Sequence, residues 1–355
     1  MAEYLLSKGE KVIGTYRWNE DLTRLKKFNK NEIVFIPMDL NDLSSCIRAI
    51  KNTKPDYIFH LAAQSYVPDS FIYPEETIRT NTIGTLNLLE AVRIVREDLS
   101  RTNEYGIIYD TEEPEIGKIK NICNKETGET LNLINVQASG RFDPVIHVCS
   151  SSEVYGLVKK EDIPIKESQP FNPSNPYAIG KVGEDMVGLM YWTNYGIKTI
   201  RTRMFTHTGP GRTMMSAECN FARQIVKLEK RHSNLCKGEI EPIKHGNLDS
   251  IRTWADVRDA VRAYWLLVRK CKPGEVYNIG GNTTKTIGEM LDYLISISTI
   301  SGHLWKQLDP TLLRSYDVTL QIPDCSKFIN ETGWKPEYKF EQTMLDLLDW
   351  WRQNI

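Results

Sequence analysis

Two short stretches of the chain carry side chains that could do acid–base chemistry on one small molecule. The first, Cys149–Gly156 (CSSSEVYG), follows a β-branched run, and the second, Tyr177–Lys181 (YAIGK), opens an amphipathic stretch. Four-residue spacing puts Tyr177 and Lys181 on one helical face, where an ammonium favours the phenolate and draws the tyrosine pKa from about 10 towards working pH. Tyr177 could then take a hydroxyl proton. Ser151, at the strand end, is placed to hydrogen-bond the same oxygen, and Glu153 adds a carboxylate base two residues on. A tyrosine and lysine at this spacing are also what a half-buried aromatic and an exposed cation give on any amphipathic helix. The Ser-rich, Glu-containing strand end before the pair, and the loop between with Pro164, Pro170, Pro173 and Pro176, favour the chemical reading.

The elements that must position these groups are legible as alternating strands and helices. Lys11–Tyr16, Glu32–Ile36, Tyr57–Leu61, Val145–Cys149 and Lys198–Met204 read as strands, with helical periodicity over Pro74–Val95 and Tyr177–Tyr195. This alternation predicts βαβ units and a parallel sheet covered by helices. From about Thr206 the elements shorten and Gly and Pro increase, which predicts a smaller lobe ending in a helix over Phe340–Arg352. Roughly fifty polar residues separate Val95 from Val145, where a connection of about two to six is usual, so this is an insertion. Within it, Ile119–Ile122 and Thr130–Val136 around Asn124–Gly128 read either as a β-hairpin or as a loop. Met1–Lys8 reads as the last turns of a helix with Gly9 at its C-terminal cap.

Bulk properties narrow the class. The 355 residues suit one large core with a lobe, or two domains. Forty-five basic against 46 acidic residues leave a formal net charge of -1 without a like-charge run, which argues against nucleic-acid binding. No apolar run is long enough to span a bilayer and no secretory signal opens the chain, so the expectation is a cytoplasmic protein without membrane contact. The seven cysteines are scattered and never in CxxC pairs, so they read as reduced, mostly buried thiols and not as a disulfide framework or zinc site.

With these motifs in place, the chain resembles the extended short-chain dehydrogenase/reductases, and among them the GDP-mannose 4,6-dehydratases. The strand-end motif of that family reads Ser-Thr-Ser-Glu-Leu-Tyr-Gly, so its hydroxyl position falls on Ser151, its glutamate on Glu153, and its remaining catalytic pair on Tyr177 and Lys181. Further matches are Leu61–Phe71, Thr80–Val92, Gly246–Val261 and Thr332–Glu337. The resemblance covers nearly the whole chain apart from the insertion and the family's opening segment. It implies an α/β fold, a Rossmann-like doubly wound parallel sheet with a smaller C-terminal α/β substrate lobe: residues 1–205 binding NADP, with the insertion at about 99–143, and residues 206–355 forming mainly the nucleotide-sugar lobe. The family sheet opens with a central strand and a Gly-rich turn, and the sequence as it stands lacks both, so its second and fourth strands should face a gap. About 20 residues lost from the start explain this; a non-catalytic binding or assembly relative is the alternative.

Residue by residue, the resemblance implies cofactor contacts at Asp39 and Leu40, at Leu61, Ala62, Ala63, Gln64 and Ser65, at Tyr177 and Lys181, and at His207 and Arg212. Arg17, where an NAD-preferring protein carries an acid, suits the 2′-phosphate of NADP. Asn220, Arg252 and Arg314 resemble contacts to the diphosphate and sugar, although Ser315, Tyr316 and Asp317 depart from the family pattern beside Arg314. The implied substrate is GDP-mannose or a related nucleotide-sugar, and the implied assembly a homodimer or homotetramer. Tyr177 would take the C4 hydroxyl proton, Ser151 orient that hydroxyl, and Glu153 remove the C5 proton and help expel the C6 hydroxyl as water. Epimerases and 4-keto-sugar reductases share the tyrosine and lysine but need no C5 base, so Glu153 favours dehydration. Ser152, where deoxythymidine-sugar dehydratases carry an Asp, favours the GDP-mannose type. A reductase acting on GDP-4-keto-6-deoxymannose is the runner-up.

Overall fold

A computed structural model describes residues 1–18, 28, 32–105, 121–123, 130–132, 142–212, 216–232, 240–313 and 320–355. The fold is Rossmann-like. Four strands make a parallel sheet in the order Val276–Ile279, Thr199–Met204, Val145–Ser151, Tyr57–His60. Their β-branched and aromatic content suits a sheet buried on both faces, and every residue of Thr199–Met204 is buried. On one face Leu40, Cys46, Leu88, Val92, Ile146 and Val148 share a core, and on the other Ile200, Ala263, Tyr264, Leu267, Tyr277 and Trp334 do so.

Val12–Tyr16 and Ile33–Pro37 pair parallel, Val12 opposite Ile33, as a separate two-stranded sheet. Among the described residues no strand joins these two to Tyr57–His60, and Ile13 and Val34 are exposed. Ahead of them Ala2–Ser7 is helical, and Gly9 takes the left-handed conformation expected after the helix end. The insertion holds an antiparallel pair, Asn121–Cys123 with Thr130–Asn132, as the hairpin reading has it.

Two helices cross the sheet near the reactive motifs. The stretch expected as one helix from Pro74 is interrupted: Pro74–Ile78 passes through a π-helical turn, Arg79–Ile83, into Gly84–Tyr105. Pro176–Tyr195 packs against that turn so closely that a Cβ on Gly183 would lie 2.2 Å from Thr82 Oγ1. Its inward acid Asp185, fully buried, binds Arg201 at 2.8 Å and Arg203 at 2.9 Å, tying helix to strand. Such charges persist in a core only when paired.

After Met204 the chain builds a second sheet around Ile251–Asp256, flanked by Thr283–Thr286 on one side and Leu320–Gln321 and His207–Thr208 on the other. Ala217–His232, Ile287–Ser296 and Phe340–Asn354 enclose its core, which includes Phe221, Ile225, Trp254, Met290, Leu294 and Met344. Val276–Ile279 returns to the parallel sheet. Among the described residues no helix is long and apolar enough to cross a membrane. Cys46, Cys149, Cys219, Cys271 and Cys325 are free thiols, three of them buried.

Candidate active site

The reactive motifs meet where the Val145–Ser151 strand ends beside the first turn of the Pro176–Tyr195 helix. Ser151 keeps extended backbone and its Oγ accepts from Glu153 N at 3.2 Å, starting a tight turn over Ser152–Tyr155. Gly156 closes that turn at φ 58, and a Cβ there would collide with the Asn172 carbonyl at 1.7 Å, so only glycine lets the chain turn back. The facing helix is started by Asn175, whose Oδ1 accepts from Ala178 N at 2.8 Å ahead of Pro176. Capping fixes Asn175 and so places Tyr177 at the mouth of the turn. The Ser151 hydroxyl is near enough to Tyr177 to favour its phenolate.

Glu153 is held by two neutral donors. Gln321 Nε2 donates to Oε1 at 3.0 Å and Asn175 Nδ2 to Oε2 at 3.4 Å, while Ser152 Oγ donates to Gln321 Oε1 at 3.1 Å. Gln321 arrives from the second sheet, where it is the ladder neighbour of Arg252. Both lobes therefore build the site.

Lys181 is buried, and its Nζ donates to the Cys149 carbonyl at 2.8 Å and to Glu184 Oε2 at 2.6 Å. Around it lie His60 and His147, buried and each held near pKa 3 by burial, with the Lys181 charge adding to the effect. One expectation is corrected here. Burial raises the Tyr177 pKa, and the lowering by Lys181 and Ser151 does not overcome it. That burial is set by the fold, and the spacing of tyrosine and lysine could not reveal it.

The other expected residues distribute along the ends of the strands. A cavity of about 230 Å³ is lined by Trp18, Pro37, Met38, Asp39, Asp42, Ser45 and Arg48. Arg17 is exposed next to Trp18. The Leu40 side chain is buried in the core against Gly84, and its carbonyl accepts from buried Asn87 Nδ2 at 2.7 Å. Leu61, Ala62 and Ser65 are exposed on the loop after Tyr57–His60, with Ala63 and Gln64 partly buried. Asn81, in the π-helical turn, grips that loop at both Gln64 N (2.8 Å) and Gln64 O (3.0 Å). Buried Asn41 Oδ1 and Gln64 Oε1 have no hydrogen-bond partner.

His207 is partly buried, its pKa lowered to about 4 by burial and by Arg212. Arg212 donates to the His207 carbonyl and pairs with Glu218 at 3.3 Å. Asn220 lies in the first turn of Ala217–His232, and Arg252 in the central strand of the second sheet donates to its neighbour's carbonyl, Ile251 O, at 3.0 Å. Arg314 lies outside the described residues.

Four residues of the site escaped sequence reasoning. Asn175 carried a signal, the Asn-Pro pair of a helix start. Asn81, Arg48 and Gln321 carried none, because their roles arise from chain segments brought together only by the fold.

A family model described as NAD dependent epimerase/dehydratase family matches residues 1–280. The chain belongs to this family. It is 28% identical to a GDP-mannose 4,6-dehydratase of Yersinia enterocolitica, over 98% of this chain and 89% of that protein. It is 27% identical to a GDP-6-deoxy-D-mannose reductase of Pseudomonas aeruginosa, over 85% of this chain and 82% of that protein. The structure of RMD from Pseudomonas aeruginosa complexed with NADPH matches with a TM-score of 0.71 at 24% identity, covering 98% of this chain and all of that one. The nucleotide-sugar dehydratase and epimerase families thus frame its chemistry.

Proposed function

We propose that this protein is a GDP-mannose 4,6-dehydratase that uses NADP and acts in the cytoplasm. The observation that carries the reading is Glu153, a carboxylate oriented by Gln321 and Asn175 on the turn that follows Ser151. Removing a proton from a carbon next to a carbonyl needs such a base, and exchange of a hydroxyl for a ketone alone does not.

Each residue has a limited task. Ser151 hydrogen-bonds the C4 hydroxyl and Tyr177 accepts its proton. The C4 carbonyl that results acidifies the C5 hydrogen. Glu153 takes that proton and passes one to the departing C6 hydroxyl, which leaves as water; the C5–C6 double bond left behind would be saturated by the hydride first removed from C4, delivered to C6, and by a proton at C5. A bound nicotinamide dinucleotide supplies a reversible two-electron oxidant, so no external acceptor is consumed. Asp39, the Leu40 backbone, Leu61–Ser65, Tyr177, Lys181, His207 and Arg212 are the residues proposed to hold it. The unpaired acceptors of Asn41 and Gln64, on the two loops that border this path, suit a hydroxyl- and amide-rich ligand. Arg17, with Arg48 in the cavity wall, suits a 2′-phosphate. Asn220, Arg252 and Arg314 are proposed to hold the diphosphate and sugar.

The similarity to a GDP-6-deoxy-D-mannose reductase supports a second reading, reduction of the GDP-4-keto-6-deoxymannose. A homodimer or homotetramer is proposed as the assembly, since Ile83, Ile179 and Met186 are exposed on the packed π-turn and helix. Incubating purified protein with GDP-mannose, without reduced cofactor, tests the main reading. Formation of a 4-keto-6-deoxy sugar supports it, and conversion seen only with the keto sugar and NADPH favours the reductase.

A further inference from the structure

The Pro176–Tyr195 helix turns two adjacent acids into the core. Asp185 is balanced by two arginines. Glu184 is not: it is fully buried, its Oε2 binds Lys181 Nζ at 2.6 Å, and its Oε1 has no hydrogen-bond partner, with His60 Nε2 4.0 Å away. Leaving a carboxylate oxygen unpaired in a core is costly, and an apolar side chain would fit there at less cost. The feature that the carboxylate answers is Lys181, which without it would hold a buried ammonium with only the Cys149 carbonyl as a named partner.

We propose that Glu184 is a positioning residue for the acid–base pair: it anchors the Lys181 ammonium and offsets part of its field at the Tyr177 hydroxyl. The inference rests on the reading of Tyr177 as the proton acceptor. The groups that surround the pair are known. Lys181, Asp185 and Tyr177 come from the same helix, His60 from Tyr57–His60, His147 and Cys149 from Val145–Ser151, and Tyr264 from Val257–Lys270. Both histidines are neutral above about pH 3, and Asp185 is balanced, so Lys181 is the charge that Glu184 answers. Burial, opposed by Lys181, pushes the Glu184 carboxyl up to about 7, and the ionised form is among the influences that raise Tyr177.

The test reads Tyr177 directly. The full chain is labelled with 13Cζ-tyrosine, the Tyr177 resonance is identified by its loss in Tyr177→Phe, and its titration is followed by NMR. Glu184→Gln keeps an acceptor for Lys181 but removes the charge, so the Tyr177 midpoint should fall and severalfold more phenolate should form at a fixed alkaline pH. An unchanged or higher midpoint overturns the proposal. In a Lys181→Met background Glu184 has lost the cation that favours its ionised form, so the Glu184→Gln shift should shrink; an undiminished shift overturns the route through Lys181. If Glu184→Gln does not fold, Glu184→Met carries the same expectation. The readout needs no substrate, so a lowered midpoint in a protein that dehydrates no nucleotide-sugar would retain this inference and reject the activity.

Discussion

His147 gives the most exacting test of how the core around Lys181 is built. Its ring is fully buried, with Nε2 2.7 Å from Thr202 Oγ1, no partner at Nδ1, and Tyr264 at a centroid distance of 4.3 Å. Burial lowers its pKa from 6.5 to about 3, so the folded protein refuses a proton that the unfolded chain binds. A lowered folded-state pKa contributes stability that is present above pH 6.5 and is lost as pH falls towards 3, at about 1.4 kcal/mol per pH unit. Between pH 7 and pH 5 the loss from this one ring is therefore about 2 kcal/mol. His147→Asn removes the titration but thins the packing, at a cost of about 2 kcal/mol at neutral pH. The variant should be less stable than the parent at pH 7 and nearly equal to it at pH 5. Glu184 acts with the opposite sign: its raised carboxyl stabilises below the unfolded value and loses this as pH rises through about 7. His60 and Glu184 are common to both proteins, so their contributions cancel in the difference. Denaturant unfolding at pH 7, 6 and 5 measures the gap, and a gap that stays constant or widens refutes a neutral buried His147.

Other perturbations separate the roles of neighbouring groups. Glu153→Gln should lower dehydration about 10²- to 10⁴-fold while calorimetry shows nucleotide-sugar binding retained. Gln321→Leu removes one donor from the Glu153 carboxylate, and kcat should fall about tenfold with KM little changed, the equivalent of about 1.4 kcal/mol for one charge-assisted hydrogen bond. Asp185→Asn leaves Arg201 and Arg203 buried without their counter-charge and should cost about 3–5 kcal/mol, read as a lower thermal midpoint.

The sheet was legible because buried parallel strands are rich in β-branched residues, and Val145–Ser151 and Thr199–Met204 each carry three. Tyr177 and Lys181 were legible because helical spacing alone fixes their common face. The π-helical turn at Arg79–Ile83 was not, since its helical periodicity continues on both sides and the bonds of its Asn81 reach a loop 17 residues away. Gln321 lies 168 residues from Glu153, and nothing local marks it. The direction of the Tyr177 pKa was not legible for a related reason: burial of the phenol, its largest influence, is set by the fold and not by the spacing to Lys181. Local periodicity reports backbone, whereas the electrostatics of the site depend on burial.

The claim on which the rest depends is that Tyr177 and Glu153 act on adjacent carbons of one hexose. It is tested most directly by turning over GDP-mannose in D₂O and locating deuterium in the product by NMR. Removal of the C5 proton by Glu153 and its replacement from solvent should give a 4-keto-6-deoxy sugar with deuterium at C5, formed about 10²- to 10⁴-fold more slowly with Glu153→Gln. Recovery of unchanged GDP-mannose without deuterium, or of a 4-epimer whose C5 carries only protium, would contradict it.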